Sequence, residues 1–410
     1  MEEKKSFKKN FIWNILGTGF NSFNSLFFLI IATRINGVDN AGIFTIAFST
    51  ACILFVIGQY SGRVFQVTEV DKKISNKDFI VNRILTCILM MISVLFFVLV
   101  KGYNSYKASL FIILAFYKML EAFSDVLYGI MQKEGDLYKV GQSYFIKSLA
   151  GLIIFIIVDI ITKNLIISSI CMNLVWILVI VLFDIVFLKG KVNYTIKTNW
   201  NNVWLLFKKG FFIFGITFLG IYILNASKYS IDNYLENSYQ TIFGIIVMPA
   251  TAISLFGQFL IHPYLNKFTK LNEEKNYKDL TKLKNKIVIY VLGFGLFASI
   301  MAYAIGIPVL NLIYGVELSS YRVMLTIIVV AATLYNVGII LSNILTTMRF
   351  TFVQFVIYVV VSLIAFVVSN ILTKKYGIQG AVFAYLVTMG AQFISYCVTQ
   401  KIIFTKLKKC

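Results

Sequence analysis

The segment FKKNFIWNILGTGF, residues 7–20, returns half a chain later as FKKGFFIFGITFLG, residues 207–220. Each copy opens on a basic pair and runs into an apolar stretch of membrane-helix length. GIFTIAF at 42–48 and TIFGIIV at 241–247 keep the same offset of about 200 residues. A third echo sets DIITKN at 159–164 against NILTKK at 370–375. Halves that repeat in the same direction predict two lobes related by an axis along the membrane normal. That is a transporter architecture, with the substrate site between the lobes.

The composition agrees. Of 410 residues, 59% are hydrophobic and only 14% charged, with a mean hydropathy of +0.82. A soluble chain carries about 25% charged residues, so most of this surface faces lipid. The apolar runs are continuous rather than alternating, which predicts helices and not a barrel. Windows bounded by charge place twelve spans at 11–33, 41–66, 80–100, 108–130, 142–161, 165–187, 210–232, 240–265, 285–307, 321–346, 352–373 and 380–404. The expected fold is an all-α polytopic membrane protein: a six-helix lobe over 1–187, a cytoplasmic inter-lobe loop over 188–209, and a second six-helix lobe over 210–410. The first apolar run follows a charged start without a small-residue cleavage site, and reads as a retained helix.

The net charge of +20 would suggest nucleic acid in a soluble protein. Here it reads as loop charge on the cytoplasmic side, and no nucleic-acid partner is expected. With both termini cytoplasmic, the inside segments hold 26 Lys/Arg and the outside segments hold seven: Arg34, Lys101, Lys107, Lys163, Arg322, Lys374 and Lys375. This positive-inside bias supports an even span count. The two longest connections, 188–209 and the one containing Lys275, are basic and lie inside; the loop around Lys72 is also inside. Five cysteines without metal spacing (Cys410 terminal, with no prenylation box) and a lone His262 predict neither a metal site nor a disulfide framework.

Two turns resemble a known family. ATRINGVDNAGIFTIAF, residues 32–48, resembles the first outer loop and second helix of polysaccharide flippases, with Arg34, Gly37, Gly42 and Phe44 at matching places. KKYGIQGAVFAYLV, residues 374–387, resembles the turn into the last helices, through Gly377, Gly380 and Ala381. With span count, half-repeat and loop lengths, the whole chain is similar to the polysaccharide-transport branch of the multidrug/oligosaccharidyl-lipid/polysaccharide (MOP) exporter superfamily. The resemblance implies a MATE-like, V-shaped pair of six-helix bundles around a cationic cavity in the bacterial cytoplasmic membrane. It implies a cargo of undecaprenyl-pyrophosphate-linked oligosaccharide, moved to the outer leaflet for O-antigen or capsule synthesis. Lipid II flippases of the superfamily carry helices beyond twelve, which this chain lacks.

Such a cargo needs cations for its diphosphate and hydroxyl or amide groups for its sugars, while its polyprenyl tail stays in lipid. Span 4 carries Lys118 near mid-membrane, with Glu121 and Asp125 on the same face at i+3 and i+7. Lys118 reads as a phosphate cation and the two acids as ion-coupling groups; a structural ion pair is the alternative. Asn14, Thr18, Asn21, Ser22 and Ser25 form a stripe on span 1 that lines a cavity or a helix contact. Lys147 in span 5 is a further cavity cation. Arg63, sharing a face with Gln59 and Gln66, and Arg83 lie near the inner ends of spans 2 and 3, as snorkelling side chains or an entry site for pyrophosphate. Lys228 and Asp232, an i, i+4 pair at the outer end of span 7, pair with Arg34 as an exit site or form a local salt bridge. Pro249 should kink span 8. No cofactor is expected, with H+ or Na+ as the coupling ion and a polysaccharide polymerase as an associated protein. Two alternatives stand beside this reading. A multidrug exporter of the same fold suits the 16% aromatic content; a membrane polymerase would need a longer outer segment than PVLNLIYGVELSS, 308–320.

The orientation has a direct test. Reporter fusions after Lys9, Lys197 and Lys275 should read as cytoplasmic, and fusions after Tyr103 and Lys375 as external. An external signal at Lys275 contradicts the twelve-span order.

Overall fold

The computed structural model describes residues 2–60, 62–68, 74–192 and 197–407. Side chains of residues 2–8, Val64, Leu255, Gln258, Phe259, His262 and those after Thr405 fall outside it. Lys72 and its loop, the His262 side chain and Cys410 therefore lie outside the described residues. Every regular element among those described is helical.

Among the described residues, eight helices are long and apolar enough to cross a bilayer. Two of them are double. Residues 2–59 form α1 (2–36) and α2 (38–59), separated at Gly37, where φ is 77° and ψ 171°. Residues 351–407 likewise form α11 (351–376) and α12 (378–407), separated at Gly377 with φ 60° and ψ −141°. Backbone of this kind is essentially confined to glycine, so the two glycines matched in the family turns are the places where the chain breaks a helix. Gly380 follows close behind, and a Cβ there would meet the Leu372 carbonyl at 1.9 Å. The single helices of the eight are α3 (Asn76–Lys101), α5 (Leu137–Thr162), α6 (Leu165–Val179, prolonged by a π-helical turn Ile180–Ile185), α7 (Trp200–Tyr234), α9 (Tyr277–Tyr314, with a π-helical turn Ala302–Gly306) and α10 (Arg322–Thr347). Two more helices, α4 (Ser105–Lys133) and α8 (Asn237–Ile261), complete the expected twelve. The protein is an all-α polytopic membrane protein.

Two local expectations change. Span 2 does not continue through Gln66: Tyr60 takes a left-handed φ of 42° and ends α2 at Gln59, so Arg63 and Gln66 ride on a separate short helix, Gly62–Thr68. The Tyr60 ring stacks on Phe214 at 4.7 Å between centroids, and its hydroxyl donates to the Phe207 carbonyl. Contacts with ring and carbonyl together hold a conformation that sterics disfavour for tyrosine. The two basic connections are also partly helical, because α7 already starts at Trp200 and a short helix spans Leu265–Glu273. Pro249 lies inside α8, as expected, and Pro263, which offers no N–H, coincides with the 3-10 turn that ends that helix.

The chain divides into two compact units, Met1–Phe218 and Leu219–Cys410, the division falling within α7. In the first unit, α1 and α5 cross at backbone contact: a Cβ on Gly17 would sit 2.2 Å from the Gly141 carbonyl oxygen, and one on Gly141 2.1 Å from that of Trp13. Small residues at such crossings replace the hydrophobic drive that lipid removes. Phe28 then meets Phe155 at 5.0 Å and Tyr117 at 6.2 Å, and Tyr117 meets Trp176 at 5.0 Å, joining α1, α4, α5 and α6. In the second unit α10 is central, with Leu325, Ile328, Val329, Ala332 and Ile344 buried. There Ser227 of α7 donates to the Ala381 carbonyl, and Ser230 bonds Thr373.

Replacing Gly37 or Gly377 by alanine should lower stability by about 1–3 kcal/mol, the usual cost of such backbone. Gly390→Ala, in a helix with open space around the new Cβ, should be neutral or stabilising. Thermal unfolding in detergent reads the difference; a Gly377→Ala protein as stable as Gly390→Ala would contradict the assigned break.

Candidate functional site

The face of α4 that carries Lys118, Glu121, Asp125 and Tyr128 is buried in the first unit, and each ionised group on it finds a partner from another element or its own helix. At the Lys118 level, the ammonium lies 2.7 Å from Glu121 Oε2 and near the rings of Phe48, Tyr117 and Phe55, at 5.1, 5.3 and 5.5 Å from their centroids. Asn21 of α1 donates to Glu121 Oε1 at 2.9 Å and accepts from Ser148 of α5 at 2.9 Å. One turn on, Asp125 is shared. Arg83 of α3 donates to Asp125 Oδ2 at 3.0 Å and to the Ala122 carbonyl at 2.7 Å. Arg63 reaches Asp125 Oδ1 at 3.5 Å but donates chiefly to Gln132 Oε1, at 2.8 and 3.2 Å. Further into the bundle, Lys147 of α5 is ion-paired with Asp184 in the π-helical turn after α6.

The structure thus unites Lys118, Glu121 and Asn21 in one network and Arg63, Arg83 and Asp125 in another. Lys147 is corrected: it is 0% exposed and enclosed by its partners, and does not line an open cavity in this conformation. Gln59 is separated from the Arg63 face by the Tyr60 break. On α1, the Thr18 hydroxyl donates to the Asn14 carbonyl and that of Ser22 to the Thr18 carbonyl. Thr18 and Ser22 are exposed and Asn14, Asn21 and Ser25 half-buried, so this stripe faces away from the unit's core except at Asn21. Arg34 is exposed beside the Gly37 break. Lys228 and Asp232 are both half-buried on α7, and the Lys228 carbonyl accepts from the Gln240 side chain across the turn into α8.

Among the described residues three buried carboxylates, Asp78, Asp159 and Asp184, are added to those anticipated. Asp184 sits alone in the apolar run LVIVLFDIVFL, 178–188, and that isolation was its available signal. Asp159, in the last turn of α5, accepts from Asn36 at 2.7 Å and Ser168 at 3.1 Å, fastening the residue before Gly37 to α5 and α6. The charged core pairs four cations (Arg63, Arg83, Lys118, Lys147) with three carboxylates (Glu121, Asp125, Asp184). Because Asp125 serves two guanidiniums, the surplus positive charge falls where Arg63, 24% exposed on its side chain, is the most accessible of the four. α10, the half-repeat counterpart of α4, carries no charge after Arg322.

Asp125→Asn should therefore leave Arg83, 2% exposed, without its counter-charge and destabilise the protein by about 3–5 kcal/mol. Arg63→Gln, at a half-buried site that keeps Gln132 nearby, should cost much less. Unfolding midpoints of the two purified variants measure the order, and equal losses would contradict the shared-carboxylate arrangement.

No protein-family model matches the chain. The capsular polysaccharide biosynthesis protein CapF of Staphylococcus aureus is 24% identical over 405 residues, which cover 98% of this chain and 100% of CapF. Among solved structures, an inward-facing multidrug resistance MATE family transporter of the MOP superfamily aligns with a TM-score of 0.70 at 12% identity, over 97% of this chain and 99% of that one. The lipid II flippase MurJ, in an inward closed conformation, aligns with a TM-score of 0.69 at 16% identity, over 95% of this chain and 87% of MurJ. Along nearly its whole length the chain is thus similar in sequence to CapF and shares the fold of these MATE and MurJ structures.

Proposed function

We propose that this chain is a flippase moving undecaprenyl-pyrophosphate-linked oligosaccharide repeat units from the inner to the outer leaflet of a bacterial cytoplasmic membrane, for surface polysaccharide synthesis. Both termini are cytoplasmic in this reading. The observation that carries it is Arg63. With the termini inside, the short helix Gly62–Thr68, the start of α3 and the end of α4 all lie at the cytoplasmic end of the first unit. Arg63 there is held by a neutral amide oxygen and a long carboxylate contact, so a diphosphate can replace Gln132 at its guanidinium with a stronger, charge-assisted pair. Similarity to a capsular polysaccharide biosynthesis protein supports the same cargo class. Asn14, Thr18, Asn21 and Ser25 contact the sugars, Lys118 continues the cationic path, and Arg34 and Lys228 serve the outer exit. Glu121, Asp125 and Asp232 are the acids through which H+ or Na+ drives alternating access. The protein acts as a transporter and not an enzyme, with the polymerase as its neighbour in the pathway.

A multidrug exporter is the second reading, favoured by an apolar cavity of about 420 Å³ within the second unit, lined by Pro249, Phe294, Met301, Ile305, Leu325 and others. Two assays separate the readings. In a strain lacking its own repeat-unit flippase, the wild-type chain should restore surface polysaccharide. Arg63→Gln should reduce it at least tenfold with equal protein in the membrane, and Arg63→Lys should retain part of it. Full export by Arg63→Gln removes Arg63 from the site. Resistance to cationic drugs without any effect on polysaccharide would overturn the flippase reading.

A further inference from the structure

The enclosure of Lys147 has a consequence independent of the cargo. Its ammonium donates to Asp184 Oδ2, to Ser124 Oγ at 2.8 Å and to the Tyr128 hydroxyl at 2.9 Å. Ser143 donates to the other Asp184 oxygen at 2.5 Å and lies 2.8 Å from the Tyr128 hydroxyl. All three N–H bonds of the ammonium are used, and Lys147, Asp184, Ser124 and Ser143 are each 0% exposed. The rings of Tyr128 and Trp176 face the same nitrogen at 5.0 and 5.5 Å, an arrangement that favours a desolvated cation.

A buried ion pair is a poor source of stability, since apolar side chains of the same volume do as well or better. The ligands around this nitrogen are all hard oxygens: one carboxylate, one aliphatic hydroxyl and one phenol. Hard oxygen ligands suit alkali and alkaline-earth ions, and a total ligand charge of −1 matches a monovalent ion. The oxygens converge from α4 and from the π-helical turn after α6, while α5 contributes the occupant. We propose that the first unit contains a monovalent-cation site whose cation is the Lys147 ammonium group, tethered by its own side chain. The tether keeps the site filled at every external ion concentration. External sodium cannot exchange there in the wild-type protein, and any coupling ion acts elsewhere.

The test removes the tether and offers replacements. Wild-type protein, Lys147→Ala, and Lys147→Ala combined with Asp184→Asn are purified in detergent. Their unfolding midpoints are compared in choline, lithium, sodium and methylammonium chlorides at equal ionic strength. Lys147→Ala should unfold several degrees below wild type in choline. It should recover saturably with at least one of lithium, sodium and methylammonium, because a ligand bound only by the folded state raises its stability. Neither wild type nor the double variant should gain as much from any of these cations, since sodium bound at a coupling site elsewhere raises all three proteins alike. Equal midpoints of Lys147→Ala in all four salts overturn the proposal, as does a cation response of wild type or of the double variant as large as that of Lys147→Ala. If Lys147→Ala cannot be isolated in choline, its recovery as monodisperse protein in sodium, lithium or methylammonium supports the site, and failure in all of them overturns it.

Discussion

A charge inside hydrocarbon has to be answered by the protein itself, and in the first unit α4 sets that demand. On translocon-insertion scales each ionised side chain near mid-membrane costs about 2.5–3.5 kcal/mol, and α4 carries Lys118, Glu121 and Asp125 on one face. Asn21 comes from α1, Arg83 from α3 and Arg63 from the short helix after α2 to meet them. Ser124 and Tyr128, on the same helix, then receive Lys147 from α5 and bring Asp184 with it. Each partner has one usable direction of approach, so the charges fix the rotation of the surrounding helices about α4. Apolar contacts alone would not, because lipid tails are as apolar as the side chains they would displace.

The second unit repeats the order of spans, but its counterpart of α4 carries no charge after Arg322. Its central helix, α10, buries small and aliphatic side chains, and its interhelical polar contacts are hydroxyl and amide bonds such as Ser342 to Gln354. Such groups impose a weaker directional demand than ionised ones, and the unit accommodates an apolar cavity beside the π-helical turn Ala302–Gly306. The half-repeat keeps a way of crossing the membrane, while the network of buried ion pairs around α4 described above lies in the first unit.

Departures from regular helix fall where side chains have particular tasks. Gly37 lies beside Asn36, which is bound to Asp159. Tyr60 separates α2 from the helix that carries Arg63. The π-helical turn after α6 carries Asp184, and such turns recur at functional positions. In hydrocarbon every backbone polar group needs an internal partner, so a break is tolerated only where neighbouring backbone or side chains restore what the helix loses.

The sequence by itself determined the crossing of the membrane. Spanning length and the scarcity of charge are additive along the chain, so the twelve apolar windows and the glycine turns at 37 and 377 could be read residue by residue. The unusual content of α4 was equally legible, because the i, i+3, i+7 spacing of Lys118, Glu121 and Asp125 is a local property. Which charge meets which was decided only by tertiary structure. Asp184 lies 37 residues from Lys147, Arg83 lies 42 from Asp125, and no helical period relates them. The end of α2 at Gln59 was hidden for the same reason: Tyr60 is apolar enough to continue a span, and its left-handed backbone is held by Phe207 and Phe214, some 150 residues away. Local spacing sets the face on which a charge lies, but the partner that neutralises it depends on how the helices pack.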